Sequence, residues 1–359
     1  MEQQAAIWGT GYIANMHAVA LKSNGIPIRV AVDINEGAAR AFAQKWGIPK
    51  WSTDQAALLD EEICSVHVCT PPSLHYEMVK FLLQHDKHVL CEKPLCFDPA
   101  EAEDLARLAR ERNLACAVNL NVRYHPACQD AKRRVAAEEF GPVYLVHGNY
   151  LQEFHAFPAP FGWRYNEALA GSMRAVTEIG THWLDLAEYL TGRRIVKLQA
   201  VFGRFCRERA LQDGMMDMPK GGEPQRVTVN SEDSALIQFQ MDNGAIGSTV
   251  LSEVSHGRTN HLTMEVTGAR ETVWWDSEYS TALHDASKES GVHTTLYPFG
   301  TNGFSDTFMT LATNYYAALG LAIPANDAGF PTFEDGSRLT RLCRAVQRSA
   351  ERDNGWVEV

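Results

Sequence analysis

One short stretch near the middle of the chain carries side chains that can move protons. At roughly 100° per residue, Glu178, His182 and Asp185 lie within about 60° of one another on a predicted helix. A histidine can take a proton at neutral pH, and a carboxylate one turn away can raise its basicity. The spacing indicates acid-base chemistry. Two other interpretations stay open: a structural histidine beside solvated acids, and a metal centre, which is less well supported because no further ligand cluster completes it.

A lysine is expected at the end of a buried strand. Lys93 follows the apolar run 87–91 and stands between Glu92 and Pro94. Its ammonium group can stabilise a developing alkoxide or pass a proton. Pro94 permits a cis peptide bond before it without showing one. The alternative is a surface lysine in a turn.

The N-terminal apolar strand runs into a Gly-x-Gly-x-x-Ala turn at Gly9, Gly11 and Ala14. The first glycine permits a tight turn, the second lets backbone N–H groups approach a pyrophosphate, and the alanine lets the helix pack on the strand. The helix N-terminus favours phosphate anions. Asp33 closes the next strand, where it can bind a ribose hydroxyl and repel a 2′-phosphate. The pattern predicts an NAD site rather than an NADP site, the alternative being an ordinary tight turn.

The elements that would position these residues alternate before residue 121. The predicted strands are near 5–8, 26–33, 63–69, 87–91 and 114–119. The predicted helices are near 11–23, 36–46, 75–84 and 98–112. Such alternation predicts an α/β domain with a doubly wound parallel sheet, which binds ligands at the carboxyl ends of its strands.

The remainder of the chain is β-rich. After a helix near 126–138, alternating strands are predicted at 142–151, 195–204, 226–241, 244–255, 260–267 and 270–276, and residues 215–224 are predicted to form a loop. Helices near 303–320 and 335–352 close the chain. Consecutive strands predict an α+β domain with a large, mostly antiparallel open sheet. The predicted domains are 1–121 and 122–359.

Composition excludes several classes of protein. The 359 residues carry 33 Lys and Arg against 44 Asp and Glu, a net charge of −11, which argues against nucleic-acid or anionic-membrane partners. The early first strand leaves no room for a signal peptide, and no apolar stretch of about 18 residues could span a bilayer. The eight scattered cysteines are expected to be buried, reduced thiols. We expect a cytoplasmic protein.

Seven short motifs occur in an order that resembles the Gfo/Idh/MocA oxidoreductase family. They are Gly9–Ala14, Thr70–His75, Glu92–Leu95, Asn121–Pro126, Trp163–Arg164, the helix ending at Gly192, and Phe333–Gly336. The resemblance covers nearly the whole chain and implies a Rossmann domain followed by an α+β domain. The stretch 149–153, followed by Trp163 and Arg164, resembles the sugar dehydrogenase branch. The large sheet commonly forms the subunit interface in this family, which implies a homodimer or homotetramer.

The resemblance also implies roles for individual residues. Lys93 and His182 would be catalytic, assisted by Glu178, where the family usually has aspartate. The implied cofactor-binding residues are Gly9, Thr10, Gly11, Tyr12, Ile13, Asp33, Ile34, Thr70, Pro71, His75, Glu92, Lys93, Trp163 and Arg164. The implied substrate-binding residues are Lys93, Arg123, Gln152, Glu153, His155, Glu178 and His182. No metal is implied.

The expected activity is reversible, NAD-dependent oxidation of a secondary hydroxyl on a sugar, glycoside or cyclic polyol. Two alternatives are retained. In one, the bound NAD is recycled within each turnover, as in glycoside cleavage or epimerisation. In the other, the protein is a non-enzymatic, NAD-dependent sensor, because a fold alone does not guarantee chemistry.

Overall fold

The structure of the protein is a computed structural model that describes residues 4–222, 225–297 and 304–359. The chain divides into two units. The first comprises Met1–Tyr124 and Gly303–Thr340, and the second comprises His125–Asn302 and Arg341–Val359. The predicted boundary after residue 121 lies near the end of the first segment. The sequence did not indicate that 303–340 would return to the first unit.

The first unit contains a six-stranded parallel sheet. Its strands are β1 Gln4–Trp8, β2 Ile28–Val32, β3 Lys50–Ser52, β4 Ile63–Val68, β5 His88–Cys91 and β6 Cys116–Val118, in the order β3-β2-β1-β4-β5-β6. The intervening helices are α1 Ala14–Ser23, α2 Glu36–Trp46, α3 His75–Gln84 and α4 Pro99–Glu111. Except for β3, each of these elements was predicted. The order places the carboxyl ends of β1 and β4 beside each other.

Helix ends in this unit follow local capping rules. The side chain of Asn35 accepts a hydrogen bond from the amide of Ala38 at the start of α2, and Gly47 ends that helix in the left-handed conformation. Asp98 caps α4 in the same way, ahead of Pro99. By contrast, Ile13 at the N-cap position of α1 provides no side-chain cap. The N-terminal end of α1 is therefore left open to an anion.

The second unit carries two sheets. The strands are β7 Val143–Leu151, β8 Ala159–Pro160, β9 Ile195–Gly203, β10 Glu208–Gln212, β11 Met215–Asp217, β12 Arg226–Thr228, β13 Ser234–Met241, β14 Ile246–Ser252, β15 His261–Gly268, β16 Glu271–Asp276, β17 Ala282–Ser287, β18 Gly291–Leu296 and β19 Val357–Glu358. Within the described ranges, the remaining α-helices are α5 Pro126–Ala136, α6 Glu167–Ala170, α7 Thr181–Thr191, α8 Phe304–Ala318 and α9 Phe333–Glu351. Nine strands form the large sheet in the order β18-β17-β16-β15-β7-β14-β13-β9-β19.

This large sheet confirms the predicted second fold. Its pairs are antiparallel except for β7 with β14. The hairpin between β13 and β14 turns at Asn243 and Gly244, as the sequence indicated. Gly244 has a φ of +88°, and the Asn243 side chain accepts a hydrogen bond from the amide of Ala245.

Several elements of the second unit differ from the prediction. The single strand expected at 226–241 is two strands, because the buried acids Glu232 and Asp233 interrupt it. The expected loop at 215–224 begins with β11, and residues 223 and 224 lie outside the described ranges. The strands β10, β17 and β18 were not predicted.

Helix α8 belongs to the core of the first unit. Phe308, Leu311, Tyr315 and Tyr316 are fully buried in one cluster with residues of α1 and of the parallel sheet. A buried hydrogen bond joins Asn121 to Thr307 at 2.7 Å. These contacts explain why a segment so late in the sequence folds with the first unit.

All eight cysteines are free, and six of them are buried. Burial raises the pKa of thiols such as Cys69 and Cys91 well above the usual value, so they remain protonated. Over the three described ranges, the helices include none with the length and apolar character needed to cross a membrane.

Candidate functional site

The turn after β1 requires glycine at one position. Gly9 has a φ of +93°, and a Cβ atom there would lie 2.8 Å from Cγ2 of Thr70 and 2.9 Å from the carbonyl carbon of Cys69. At Gly11, a Cβ atom would meet nothing within 4 Å. Ala14 is fully buried at the start of α1. The turn is thus tight at its base and open at the uncapped end of α1, which suits a bound phosphate.

Asp33 is oriented by this turn. One carboxylate oxygen accepts hydrogen bonds from the backbone amide and the hydroxyl of Thr10, each at 2.8 Å. The other accepts from the amide of Asn35 at 2.9 Å. Tyr12, which follows Gly11, and Ile34, which follows Asp33, are 86% and 93% exposed. The structure therefore holds a negative charge and two apolar side chains beside the open turn, a set that fits an adenosine group.

A buried histidine joins the loop after β4 to the loop after β5. His75 Nε2 is 2.9 Å from the carbonyl of Thr70, and its Nδ1 is 2.9 Å from the carbonyl of Pro94. Burial lowers the pKa of His75, while the two carbonyls counteract the shift. His75 thus fixes the backbone around Pro71 and Lys93. The Lys93–Pro94 peptide bond is cis.

Glu92 is the polar centre of the loop after β5. Its carboxylate accepts hydrogen bonds from Asn119 Nδ2 at 2.7 Å and from the amide of Lys93 at 3.2 Å, and it lies 3.0 Å from His17 Nε2. The hydrogen bond from the amide of Lys93 to Glu92 anchors the peptide unit that carries the Lys93 side chain.

In the second unit, the helix predicted to carry Glu178, His182 and Asp185 on one face is not a regular α-helix at its start. Residues Val176–Gly180 form a π-helical turn that leads into α7. Because its i→i+5 hydrogen bonds widen the turn, the angle calculated for an α-helix does not apply to Glu178. His182 and Asp185 are both buried on α7. The prediction of one regular α-helical face for all three residues is therefore wrong.

Glu178 contacts a cluster that the sequence did not reveal. Its carboxylate is 2.9 Å from Nε of Arg164 and 3.9 Å from Nε2 of His155. His155 is buried, with its Nε2 also 3.8 Å from Glu253 and its Nδ1 2.5 Å from the hydroxyl of Tyr165. Burial lowers the pKa of His155, and the neighbouring Glu178 opposes that shift.

A buried ion network adjoins this cluster. Arg174 and Arg209 lie 2.6 and 2.7 Å from the same oxygen of Asp233, and Nε of Arg174 lies 3.5 Å from Glu253. Both arginine side chains are at most 1% exposed. The only sequence signal for this network is the pair Glu232-Asp233 within an otherwise alternating apolar run.

The other predicted substrate residues are held by local contacts. Gln152 donates to Oδ1 of Asn260 at 2.7 Å, and Glu153 accepts from the amide of Gly257 at 2.7 Å. In the first unit, Arg123 pairs with Asp335 at 3.0 Å.

Trp163 and Arg164 lie on a short 3-10 turn of the second unit, with the guanidinium of Arg164 4.8 Å from the centre of the Trp163 ring. Both were implied cofactor residues, and this role stays a prediction.

In the described parts of the chain, two groups of side chains have ligand atoms close enough together to hold a metal ion, and neither is the group Glu178, His182 and Asp185 considered from the sequence. They are His155–Glu178–Glu253 and His261–Asp276–Glu278. Arg164 and Arg174 contact the acids of the first group, and Arg258 lies 2.8 Å from Glu278 in the second. In both groups, arginine side chains therefore supply positive charge next to the acids.

Comparison with known proteins identifies both halves of the chain. Residues 4–120 match a family model described as "Oxidoreductase family, NAD-binding Rossmann fold", and residues 128–274 match the "GFO/IDH/MocA C-terminal domain". Together the two models cover more than half of the chain.

Similar proteins include sugar and polyol dehydrogenases. The chain is 27% identical to levoglucosan dehydrogenase of Pseudarthrobacter phenanthrenivorans, covering 98% of this chain and 96% of that protein. It is 28% identical to scyllo-inositol 2-dehydrogenase (NAD(+)) of Bacillus subtilis, covering 71% of this chain and 69% of that protein.

A solved structure extends the likeness to the whole fold. The structure of levoglucosan dehydrogenase in complex with NADH and L-sorbose superposes with a TM-score of 0.89 at 26% identity, covering 99% of this chain and 98% of that one. Taken with the open glycine turn, the uncapped α1 and the oriented Asp33, these matches show that the chain belongs to the GFO/IDH/MocA oxidoreductase family and binds NAD through its Rossmann domain.

Proposed function

We propose that the protein reversibly oxidises a secondary hydroxyl of a sugar, glycoside or cyclic polyol, with NAD as the hydride acceptor. The observation that carries this proposal is the similarity to levoglucosan dehydrogenase along 98% of the chain. The similarity to an inositol dehydrogenase supports the wider class of hydroxylated rings.

The residues of the first unit would hold the cofactor. The open turn at Gly11 and the first turn of α1 would bind the pyrophosphate, and Asp33 would bind the adenine ribose. When bound, the nicotinamide supplies the site that accepts hydride from the substrate carbon.

Lys93 and His182 are proposed to serve proton transfer. Lys93 follows β5, and its peptide is anchored on Glu92. His182 is a buried imidazole at the start of α7. In the proposal, His182 takes the hydroxyl proton while Lys93 stabilises the oxyanion and relays protons. Glu178 would orient His182, with its own carboxylate restrained by Arg164 and His155.

Sugar hydroxyls would be recognised by polar groups, most of which belong to the second unit. Gln152 uses its amide nitrogen to bind Asn260, and its carbonyl oxygen can accept from a hydroxyl. Both ring nitrogens of His155 lie close to protein groups, Tyr165 and Glu178. We therefore propose that His155 affects the substrate indirectly, by restraining the carboxylate of Glu178. For Glu153 and Arg123, the contacts with Gly257 and Asp335 would set the direction of the charged groups.

The test combines a substrate panel with two variants. Monosaccharides, anhydrosugars, glycosides and inositols are scored by NADH absorbance with NAD and NADP. We expect Lys93→Ala and His182→Ala to lower kcat by at least about 100-fold, the typical contribution of a proton-transfer group. Affinity for NADH, measured by its fluorescence, should change little.

Matched controls are Lys50→Ala and His293→Ala, which replace surface residues and should retain wild-type rates. Wild-type turnover by both active-site variants would contradict the assignment. Product formation without net NADH would favour the recycling alternative, and tight NADH binding without turnover on the whole panel would favour the sensor.

A further inference from the structure

Three buried side chains form a continuous polar chain that ends at Glu92. His17 Nε2 is 3.0 Å from Oε1 of Glu92, and its Nδ1 is 2.8 Å from Nδ1 of His67. The Nε2 atom of His67 is then 2.8 Å from the hydroxyl of Tyr316. Both histidines and the tyrosine are fully buried. The proposed function gives none of these three residues a role.

At one end of this chain, Glu92 is surrounded by donors. Asn119 Nδ2 and the amide of Lys93 can only donate to its carboxylate, so both contacts favour the ionised form. Burial raises the pKa of Glu92, but the hydrogen bond from His17, with further contributions from Asn119 and Lys93, brings it below its usual value. Glu92 is therefore an acceptor.

An ionised Glu92, together with a His17 ring that carries one proton, sets the direction of every following hydrogen bond. In the arrangement inferred here, His17 carries that proton on Nε2 and accepts at Nδ1. His67 must then carry its proton on Nδ1 and accept at Nε2 from the hydroxyl of Tyr316. Burial holds the pKa of His67 well below its usual value, which leaves that ring with one proton. In this arrangement each hydrogen has an acceptor.

The opposite direction is less favourable. A protonated Glu92 would have to donate to His17, and both ring protons would have to move to the other nitrogens. Tyr316 would then accept from His67 and direct its own hydrogen towards Ser65, while the donors Asn119 and the amide of Lys93 would face a protonated carboxyl group. The chain therefore opposes protonation of Glu92.

We propose that Tyr316, His67 and His17 form a hydrogen-bond chain in which every donor points towards Glu92. This chain holds Glu92 ionised and oriented, and it thereby positions the Lys93 peptide for proton transfer. The three residues are positioning residues, since they act through Glu92 and not on substrate. The inference rests on the proposed function of Lys93. The contact through which they act is the 3.2 Å hydrogen bond from the amide of Lys93 to Glu92.

The kinetic test removes the last donor of the chain. Tyr316→Phe leaves His67 Nε2 without its hydroxyl, and we expect kcat to fall by about five- to tenfold, the size associated with one buried hydrogen bond. The dissociation constant for NADH should stay within about twofold, because the pyrophosphate and ribose contacts are unchanged.

Tyr315→Phe is the matched control. Tyr315 is the adjacent, equally buried tyrosine, but its hydroxyl contacts Ser65 at 2.8 Å, whereas that of Tyr316 contacts His67. We expect it to retain wild-type kcat. Equal kcat values for Tyr316→Phe and Tyr315→Phe would overturn the inference.

A second measurement requires neither substrate nor turnover. Histidine-selective ¹⁵N NMR of the full chain, with signals assigned through His17→Gln and His67→Gln, should find the proton of His17 on Nε2 and that of His67 on Nδ1. An imidazolium at His17, or His67 protonated on Nε2, would overturn the inference even if the tyrosine variants failed to fold. Wild-type turnover by Lys93→Ala would instead refute the proposed function, while the tautomers of the chain would be unaffected.

Discussion

At the scale of single residues, Asp33 shows how the fold orients one side chain that can determine cofactor specificity. Asp33 is not a loose acid at the end of β2, because Thr10 of the glycine turn binds it through two groups. Those contacts leave the carboxylate pointing in one direction and keep its charge next to the adenosine end of the turn. Discrimination between NAD and NADP should therefore depend on Asp33 more than on any nearby cation.

We expect Asp33→Ser to reduce the preference for NAD. Removing the charge relieves repulsion of a 2′-phosphate and deletes a ribose contact, so kcat/KM with NADP should rise relative to that with NAD by about tenfold or more. The ratio is measured with the best substrate of the panel. Asp54→Ser is a suitable control, because Asp54 caps a different turn. An unchanged ratio would show that Asp33 does not read the ribose.

At the scale of elements, the π-helical turn before α7 is held by a buried acid. One oxygen of Glu232 accepts from the amides of Arg174 and Val176 at 3.0 and 2.9 Å. Burial, opposed by hydrogen bonds from backbone amides, raises the pKa of Glu232 from 4.5 to about 7. This turn carries Glu178 and leads into the helix of His182, so the charge state of Glu232 bears on the geometry of both.

The raised pKa of Glu232 predicts a pH-dependent stability. Its folded-state pKa exceeds the unfolded value, so this group stabilises the fold most below about pH 4.5, and the contribution is lost as the pH rises to about 7. The loss is roughly 3 kcal/mol for the full shift. Glu232→Gln keeps an amide acceptor but cannot ionise. Urea unfolding between pH 5 and 7.5 should thus show a flatter pH dependence for Glu232→Gln, and parallel curves would contradict the assignment.

At the scale of the whole molecule, the large sheet exposes a row of apolar side chains. Val201, Leu236 and Val250 are directly opposite one another on β9, β13 and β14, and they are 42%, 52% and 42% exposed. A contiguous exposed apolar row on an open sheet is typical of a subunit interface. It supports the predicted homodimer or homotetramer.

We expect Leu236→Glu to dissociate that oligomer. A charge in the middle of the apolar row would be buried without a partner on association, which is strongly unfavourable. Sedimentation velocity should give a smaller species for Leu236→Glu than for the unaltered protein. Ile323→Glu, which alters an 87% exposed apolar residue of the first unit, should leave the assembly unchanged. Identical sedimentation of all three proteins would contradict an interface on this face.

The sequence by itself determined the features that depend on neighbouring residues. The strands and helices of the first unit follow from local apolar periodicity, and the glycine turn with Asp33 follows from short spacings that only a few backbone conformations satisfy. The hairpin at Asn243-Gly244 is equally local. Lys93 and His182 could be named as candidates for the same reason, since each belongs to a short motif.

Only the tertiary structure decided what depends on contacts between distant segments. Residues 303–340 join the first unit because the apolar face of α8 is buried there, and no local pattern states which sheet a helix will cover. The π-helical turn departs from the regular helix predicted around Glu178, and its amides bind Glu232, more than fifty residues away. The chain from Glu92 to Tyr316 likewise joins four elements of the first unit. Long-range burial and hydrogen bonding select these arrangements, because a buried polar group is stable only where the fold brings its partner.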